Sequence, residues 1–167
     1  MLKEKLRKKE VTLGSWITLA HPSIAEILAS AGYDWLVIDL EHTTISIAEV
    51  GELIRVIDLY GVVPLVRLTS NNPDQIKRVM DAGAHGIVVP MVNSVEDASR
   101  AVAATRYAPQ GIRGVGLARA QKFGTGFSDY LQWQKDGPVV IVQIEHKDAL
   151  DHLEAIFSAI FKTSFSN

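Results

Sequence analysis

The sequence predicts an α/β domain of parallel βα units, and three observations carry that prediction. Short apolar runs recur along the chain and alternate with amphipathic stretches of 10 to 15 residues, the pattern of βαβ units. The apolar runs are continuous rather than alternating, as strands buried on both faces of a parallel sheet are. Their polar residues gather at the carboxyl ends, where α/β proteins place their chemistry.

The opening MLKEKLRKKE is locally basic but interrupted by Glu4 and Glu10, and reads as a solvated amphipathic lead-in helix. TLGSWITL (12–19) is the first strand, and Pro22 to Ala31 a short helix stopped by Gly32. DWLVIDLEH (34–42) is the stretch around which the rest is arranged. Its apolar run, Trp35 to Ile38, ends in Asp39, with Glu41 and His42 just beyond. Ser46 with Glu49 makes a capping box for IAEVGELIRVIDLY, and Gly61 closes that helix. VVPLVRL (62–68) is the third strand. Asn72 followed by Pro73 starts a helix that runs to Ala82 and stops at Gly83. GIVVPMV (86–92) is the fourth strand, and Ser94 caps a helix reaching about Tyr107. YAPQGIRGVGLARAQKFGTGF is irregular, Ser128 caps a short helix through Gln134, PVVIVQIE (138–145) is the fifth strand, and KDALDHLEAIFS is the helix after it.

Doubly wound sheets and (β/α)8 barrels both fit this alternation. A barrel takes ~250 residues, with ~200 as a floor. Five βα units in a 167-residue chain keep the pace of a TIM barrel that stops early, so the expectation is an incomplete barrel forming one domain over residues 1–167. Composition is that of an ordinary globular domain, 47% hydrophobic and 22% charged. The net charge of −2 gives no footprint for nucleic acid. No apolar run approaches the ~20 residues of a membrane span and no signal peptide is visible, so a soluble cytoplasmic protein is expected. Cysteine is absent, which excludes disulfides, thiolate metal sites and a Cys nucleophile.

The strand ends carry Trp16, then Asp39, Glu41 and His42, then Arg67, then Pro90 and Met91, and finally Gln143 and Glu145. Gln143 and Glu145 share one face of their strand and point into a barrel at its top. An arginine beside a carboxylate suits an anionic substrate held with a metal, because the guanidinium offers a fork and Glu and Gln offer hard oxygens. Each residue also has a plain structural reading. Arg67 can pair with Asp39 or Glu145 in a salt bridge, and Asp39 can simply satisfy the His42 imidazole. Glu41 is read as pointing to the opposite side from Asp39, in a structural role. His21, His85, His146 and His152 show no ligand spacing. RGVG (113–116) follows a helix rather than a strand, which makes it a poor nucleotide fingerprint and a better tight active-site loop.

The segments AGYDWLVIDLEH, VPLVRLTSNNPDQIKRVMDAGAHGIVVPMVNSVEDA, RYAPQGIRGVGLARAQ and VIVQIE together resemble the HpcH/HpaI aldolase family of metal-dependent pyruvate aldolases, relatives of the citrate lyase β-subunit. The likeness runs from about Leu13 to about Ser158. It implies a (β/α)8 barrel that cleaves or forms a carbon–carbon bond next to pyruvate, releasing pyruvate and an aldehyde from a 4-hydroxy-2-oxo acid. On the matching positions, Glu145 resembles a metal carboxylate for Mg²⁺, Mn²⁺ or Co²⁺, and Gln143 its hydrogen-bonding neighbour in the metal and substrate shell. Arg67 resembles the residue that binds the pyruvate oxygen and steadies the enolate, and His42 with Asp39 the dyad that moves the aldol proton.

The resemblance also implies homo-oligomers and a second metal carboxylate from a later GP-x-D-L-S segment. Here the sequence ends AIFSAIFKTSFSN, with no acidic residue after Glu154 and a tail over 159–167 unlike the family. The expectation is therefore a C-terminally truncated copy with little activity alone. Two alternatives stand beside aldol cleavage. One is acyl-CoA lyase or decarboxylase chemistry on the same pyruvate-enolate core, and the other is a non-catalytic fragment that docks on full-length subunits.

Overall fold

The five apolar runs form β1 (Gly14–Ile17), β2 (Trp35–Asp39), β3 (Val63–Arg67), β4 (Gly86–Val89) and β5 (Val139–Val142) in a computed structural model that describes residues 2–165. All pairings are parallel and follow sequence order, β1-β2-β3-β4-β5. That order decides between the two architectures. A doubly wound sheet reverses direction at a switch point, whereas here each strand adds on the same side. Among the described residues β1 and β5 do not pair with each other, so the sheet is a five-stranded arc of TIM-barrel type.

The helices are α1 (Leu2–Arg7), α2 (Pro22–Ser30), α3 (Ile47–Leu59), α4 (Pro73–Ala82), α5 (Val95–Thr105), α6 (Phe127–Asp136) and α7 (Leu153–Phe165). Local chemistry sets most of their ends. The Ser46 hydroxyl accepts from the Glu49 N–H, and the Glu49 carboxylate accepts from the Ser46 N–H at 2.6 Å, completing the capping box of α3. The Asn72 side chain accepts from the Asp74 and Gln75 N–H groups at the start of α4, and Gly83 closes that helix at φ 106°, a left-handed conformation that costs glycine nothing.

Three elements differ from expectation. Ser128 is not the cap of α6: the helix starts at Phe127, with Gly126 in the cap position and no side-chain bond there, which places Ser128 inside the first turn. The last helix begins late, because Lys147–His152 forms a 3-10 turn, capped by the His146 side chain, before α7. The lead-in helix α1 is docked rather than solvated. Leu2 is buried with Val37, Leu65 and Val88, and buried Lys3 donates to the Gly137 carbonyl at 3.3 Å.

The two faces of the sheet are unlike. Leu36, Ile38, Val66, Ile87 and Val89 point to the helices and join a large core with Ile54, Ile57, Ile76, Met80 and Ala101. The opposite, inward face holds a small cluster, Val37, Leu65 and Val88, with Leu2 beneath it. Because side chains alternate along a strand, residues in phase with Val37 and Leu65 also face inward. They include Asp39 and Arg67, which are direct partners in the β2–β3 register, and Trp16, which is the partner of Val37.

Gly86 sets how closely β5 approaches. A Cβ there would lie 2.3 Å from the Val139 carbonyl oxygen and 2.8 Å from Leu65 Cδ2, so only glycine lets β4 and β5 pair at this point. We expect Gly86→Ala to destabilise the fold by about 2 kcal/mol, the usual cost of overpacking, read as a lower urea midpoint. An unchanged midpoint would mean that β5 can shift freely, and that its strand-end residues are not held in place by this pairing.

Candidate active site

With the Trp16 ring added by β1, three parallel strands, β2, β3 and β5, deliver polar side chains to one end of the inward face. At its centre Arg67 Nε and Nη2 donate to Asp39 Oδ1 and Oδ2 at 2.8 and 2.6 Å, a two-pronged contact. Oδ1 also accepts from the backbone N–H groups of Glu41 at 2.9 Å and His42 at 3.4 Å. The chain turns at that point, and the Thr43 hydroxyl bonds the Asp39 carbonyl. Burial pushes the Asp39 carboxyl up, but the Arg67 fork and the two N–H donors outweigh it and hold the group below its ordinary value. The same fork drives the Arg67 guanidinium further up against the opposing effect of burial, with Asp39, Glu41 and Glu145 adding charge attraction.

The rest of the guanidinium is also fixed. Its carbon lies 4.6 Å from the centre of the Trp16 ring, a cation–π contact from the end of β1. Its remaining nitrogen, Nη1, is 3.4 Å from Glu41 Oε2 and forms no hydrogen bond there. Arg67 is therefore held on one edge and one face, with Nη1 ion-paired to Glu41 but not hydrogen-bonded to it.

The structure places the sequence-selected residues as follows. Asp39 and Arg67 meet directly. Gln143 and Glu145 lie just past β5; Gln143 continues the ladder through its backbone, and its buried Oε1 has no hydrogen-bond partner. Exposed Glu145 accepts from the Met91 N–H at 3.1 Å through Oε2, and it is close enough to add to the field on Arg67. His42 is arranged differently from the expected dyad. Its contact with Asp39 is through the backbone N–H, while the exposed imidazole has Glu41 as its neighbouring carboxylate, at 3.8 Å.

Sequence reasoning assigned Glu41 to the far side of the strand. That assignment misapplies the strand period, since positions 39 and 41 share a face; through the bend that follows Asp39, Glu41 stays on the side of Arg67, its buried Oε2 3.4 Å from Nη1. The signal that marks the bend is local: a polar run, Glu41 to Thr44, in which Thr43 can bond the chain behind it. RGVG does not form a strand-end loop. Arg113 is fully buried on the helix side, bonded to Asp81 of α4 at 2.7 Å and to the Tyr130 hydroxyl of α6 at 2.8 Å. His85 precedes β4, at the amino ends of the strands, beside Asp58 and Trp133.

Oxygen donors suited to a hard cation are present in Glu145 and Gln143, and the unpartnered Gln143 Oε1 is the kind of buried acceptor that a cation satisfies. Among the described residues no group of three or more His, Asp or Glu forms a complete metal cage. Glu145 and Gln143 could supply oxygen donors to a divalent cation.

Residues 12–163 match the model of the HpcH/HpaI aldolase/citrate lyase family. A curated relative, the 4-hydroxy-2-oxo-heptane-1,7-dioate aldolase of Salmonella dublin, is 43% identical over 156 residues, covering 92% of this chain and 59% of that protein. The chain thus spans 59% of the length of this curated relative. Among solved structures, an HpcH/HpaI aldolase/citrate lyase family protein from Burkholderia cenocepacia superposes with a TM-score of 0.87 at 38% identity, covering 95% of this chain and 64% of that one. An HpcH/HpaI aldolase from Desulfitobacterium hafniense gives 0.87 at 31% identity, covering 95% and 62%.

The Asp39–Arg67 pair is nearly closed to solvent, at 3% and 15% side-chain exposure. Asp39→Asn should cost about 3 kcal/mol at neutral pH, because it breaks a buried pair and leaves one charge behind. The sign with pH follows from the lowered carboxyl. The wild-type advantage is fully present above the unfolded value of about 4, and it disappears as pH falls through the lower folded value. Urea melts of both proteins across acid pH should show the two curves converging. A gap that persists at the acid end would assign the effect to shape rather than charge.

Proposed function

The chain belongs to the HpcH/HpaI aldolase/citrate lyase family, and from that premise we propose that its site performs carbon–carbon lyase chemistry on a 4-hydroxy-2-oxo acid, giving pyruvate and an aldehyde. The observation that carries this reading is Arg67, held at a strand end by Asp39 and Trp16, with Nη1 3.4 Å from Glu41 Oε2 and not hydrogen-bonded to it. A fixed donor of that kind serves an oxygen on which charge develops during reaction.

In cleavage the bond between C3 and C4 of the substrate breaks. Its electron pair passes to the 2-oxo group as the enolate of pyruvate, while C4 leaves as an aldehyde carbonyl. The proton of the 4-hydroxyl goes to a base, and protonation of the enolate at C3 completes pyruvate. Arg67 Nη1 donates to the developing enolate oxygen. Asp39 keeps the guanidinium from turning, and Trp16 covers one of its faces. His42 is the group that takes the hydroxyl proton, and its exposure lets it exchange that proton with solvent. Glu145 and Gln143 would hold a divalent cation such as Mg²⁺, Mn²⁺ or Co²⁺, which when bound supplies Lewis-acid polarisation of the 2-oxo group.

The test is release of pyruvate from a panel of 4-hydroxy-2-oxo acids with saturating Mn²⁺. It should use both the 167-residue chain and a chimera in which the chain replaces the matching segment of the Salmonella dublin aldolase. In whichever form turns over, Arg67→Ala should lower kcat/KM by about 10²-fold, the scale of one oxyanion donor. His42→Ala should lower cleavage by about 10²-fold while pyruvate C3 proton exchange falls less. Near-wild-type enolisation in Arg67→Ala would remove Arg67 from its assigned role. Pyruvate release from neither protein would overturn the lyase reading.

A further inference from the structure

The β4–β5 ladder carries an irregularity exactly one residue long where the two strands leave the sheet. The Gln143 N–H donates to the Val89 carbonyl at 2.9 Å, and the Gln143 carbonyl accepts from the Val92 N–H at 3.1 Å. In a regular parallel ladder those two partners are two residues apart, so Met91 would be the donor. Here they are three apart, and one residue has been inserted opposite Gln143, which defines a β-bulge.

Met91 is the residue displaced from the ladder, and it has φ 53°. A non-glycine residue with an unbranched side chain is uncommon in the left-handed region, and such conformations persist where the surroundings enforce them. The consequence is specific. The Met91 N–H, released from the ladder, turns to Glu145 and donates to its Oε2 at 3.1 Å. Glu145 lies beyond β5 and is exposed, and this is the hydrogen bond to its carboxylate among the described residues.

We infer that the Met91 bulge is a positioning device for Glu145, in which a main-chain N–H freed from the sheet fixes one carboxylate oxygen and leaves the other for a divalent cation. The inference rests on the reading of Glu145 as a cation-binding carboxylate. Met91 acts through its backbone, and its side chain is incidental to the role. Sequence inspection could not assign this, because the part is played by an atom that every residue except proline has.

Two measurements decide it. The first needs no cation: amide hydrogen exchange in the chelator-treated wild-type chain and in Glu145→Ala. The Met91 amide should lose about tenfold in protection on removal of the carboxylate, while Val92, bonded to the Gln143 carbonyl, stays as it was. Equal exchange at Met91 in both proteins overturns the inference. The second is Mn²⁺ affinity by water-proton relaxation. An ester in place of the Pro90–Met91 amide removes only the N–H and should weaken Mn²⁺ binding by about tenfold, as loss of a charge-assisted hydrogen bond does. Met91→Gly keeps the N–H and accepts the left-handed conformation, so it should bind within about twofold of wild type. Wild-type affinity in the ester variant, or a loss in Met91→Gly as large as the ester's, overturns the inference. Absence of Mn²⁺ binding by the wild-type chain overturns the cation reading itself, whereas retained binding with an unprotected Met91 amide overturns only the bulge's part in it.

Discussion

The site depends on one constraint, the register that sets Asp39 directly opposite Arg67. A slip of one residue would turn either side chain to the helix side, leaving a charge among Ile38, Val66 and Ile87. The large core fixes that register. Leu36 and Ile38 on β2, and Val66 on β3, are at most 1% exposed and have no alternative face on which to be buried. Apolar burial thus chooses the register, and the register brings the opposite charges together. The pair is a consequence of the core rather than a source of its stability, since desolvation of the two groups offsets most of their attraction. Its contribution lies elsewhere: the two-pronged contact fixes the guanidinium plane, and with it the direction of Nη1.

Most of the fold was legible because its elements announce themselves locally. The capping box at Ser46 and Glu49, the Asn72–Pro73 start and the Gly83 stop of α4 each correspond to one residue chemistry with one geometry. The elements misread were those set by distant partners. Nothing in MLKEKLRKKE says that Leu2 will cover Val37 and Leu65 from the far end of the sheet. Ser128 looks like a cap, yet α6 begins earlier, with the first helical bond accepted by the Gly126 carbonyl. At the strand ends, Asp39, Arg67, Gln143 and Glu145 lie where the sequence places them, because the position of a residue on a parallel strand is enough to locate it. Glu41 was misplaced, since positions 39 and 41 share a face of a strand, and strand position alone could not show that the Asp39 oxygens face Arg67 rather than the His42 ring.

The RGVG stretch shows the same limit from the other direction. Glycine spacing suggested a loop shaped around a ligand, but the residue that organises it is Arg113. Its buried guanidinium reaches Asp81, Tyr107, Tyr130 and the Thr105 carbonyl. Gln121 joins through the Tyr107 hydroxyl at 2.7 Å. The Arg113 contacts satisfy both terminal nitrogens and leave the buried Nε without a hydrogen bond. The network ties an irregular segment to α4 and α6 on the helix side of the sheet, so its bearing on the site is indirect: it holds the shell of helices against which β4 and β5 are packed.

The charges at the strand ends do not balance, and the imbalance bears on the chemistry. Arg67 is attracted by three carboxylates, Asp39, Glu41 and Glu145. Asp39 is neutralised by its fork, but Glu41 has a buried oxygen without a hydrogen bond, and Glu145 is held by one neutral N–H. A 2-oxo acid brings a further negative charge, and its enolate more. In a partly desolvated site, unpaired like charges repel strongly, so an anion approaching Arg67 Nη1 would be opposed by the carboxylates around it. On the proposed reading, a doubly charged cation beside Glu145 would reverse that balance. On the proposed function, electrostatics would favour filling the cation site before the anion arrives.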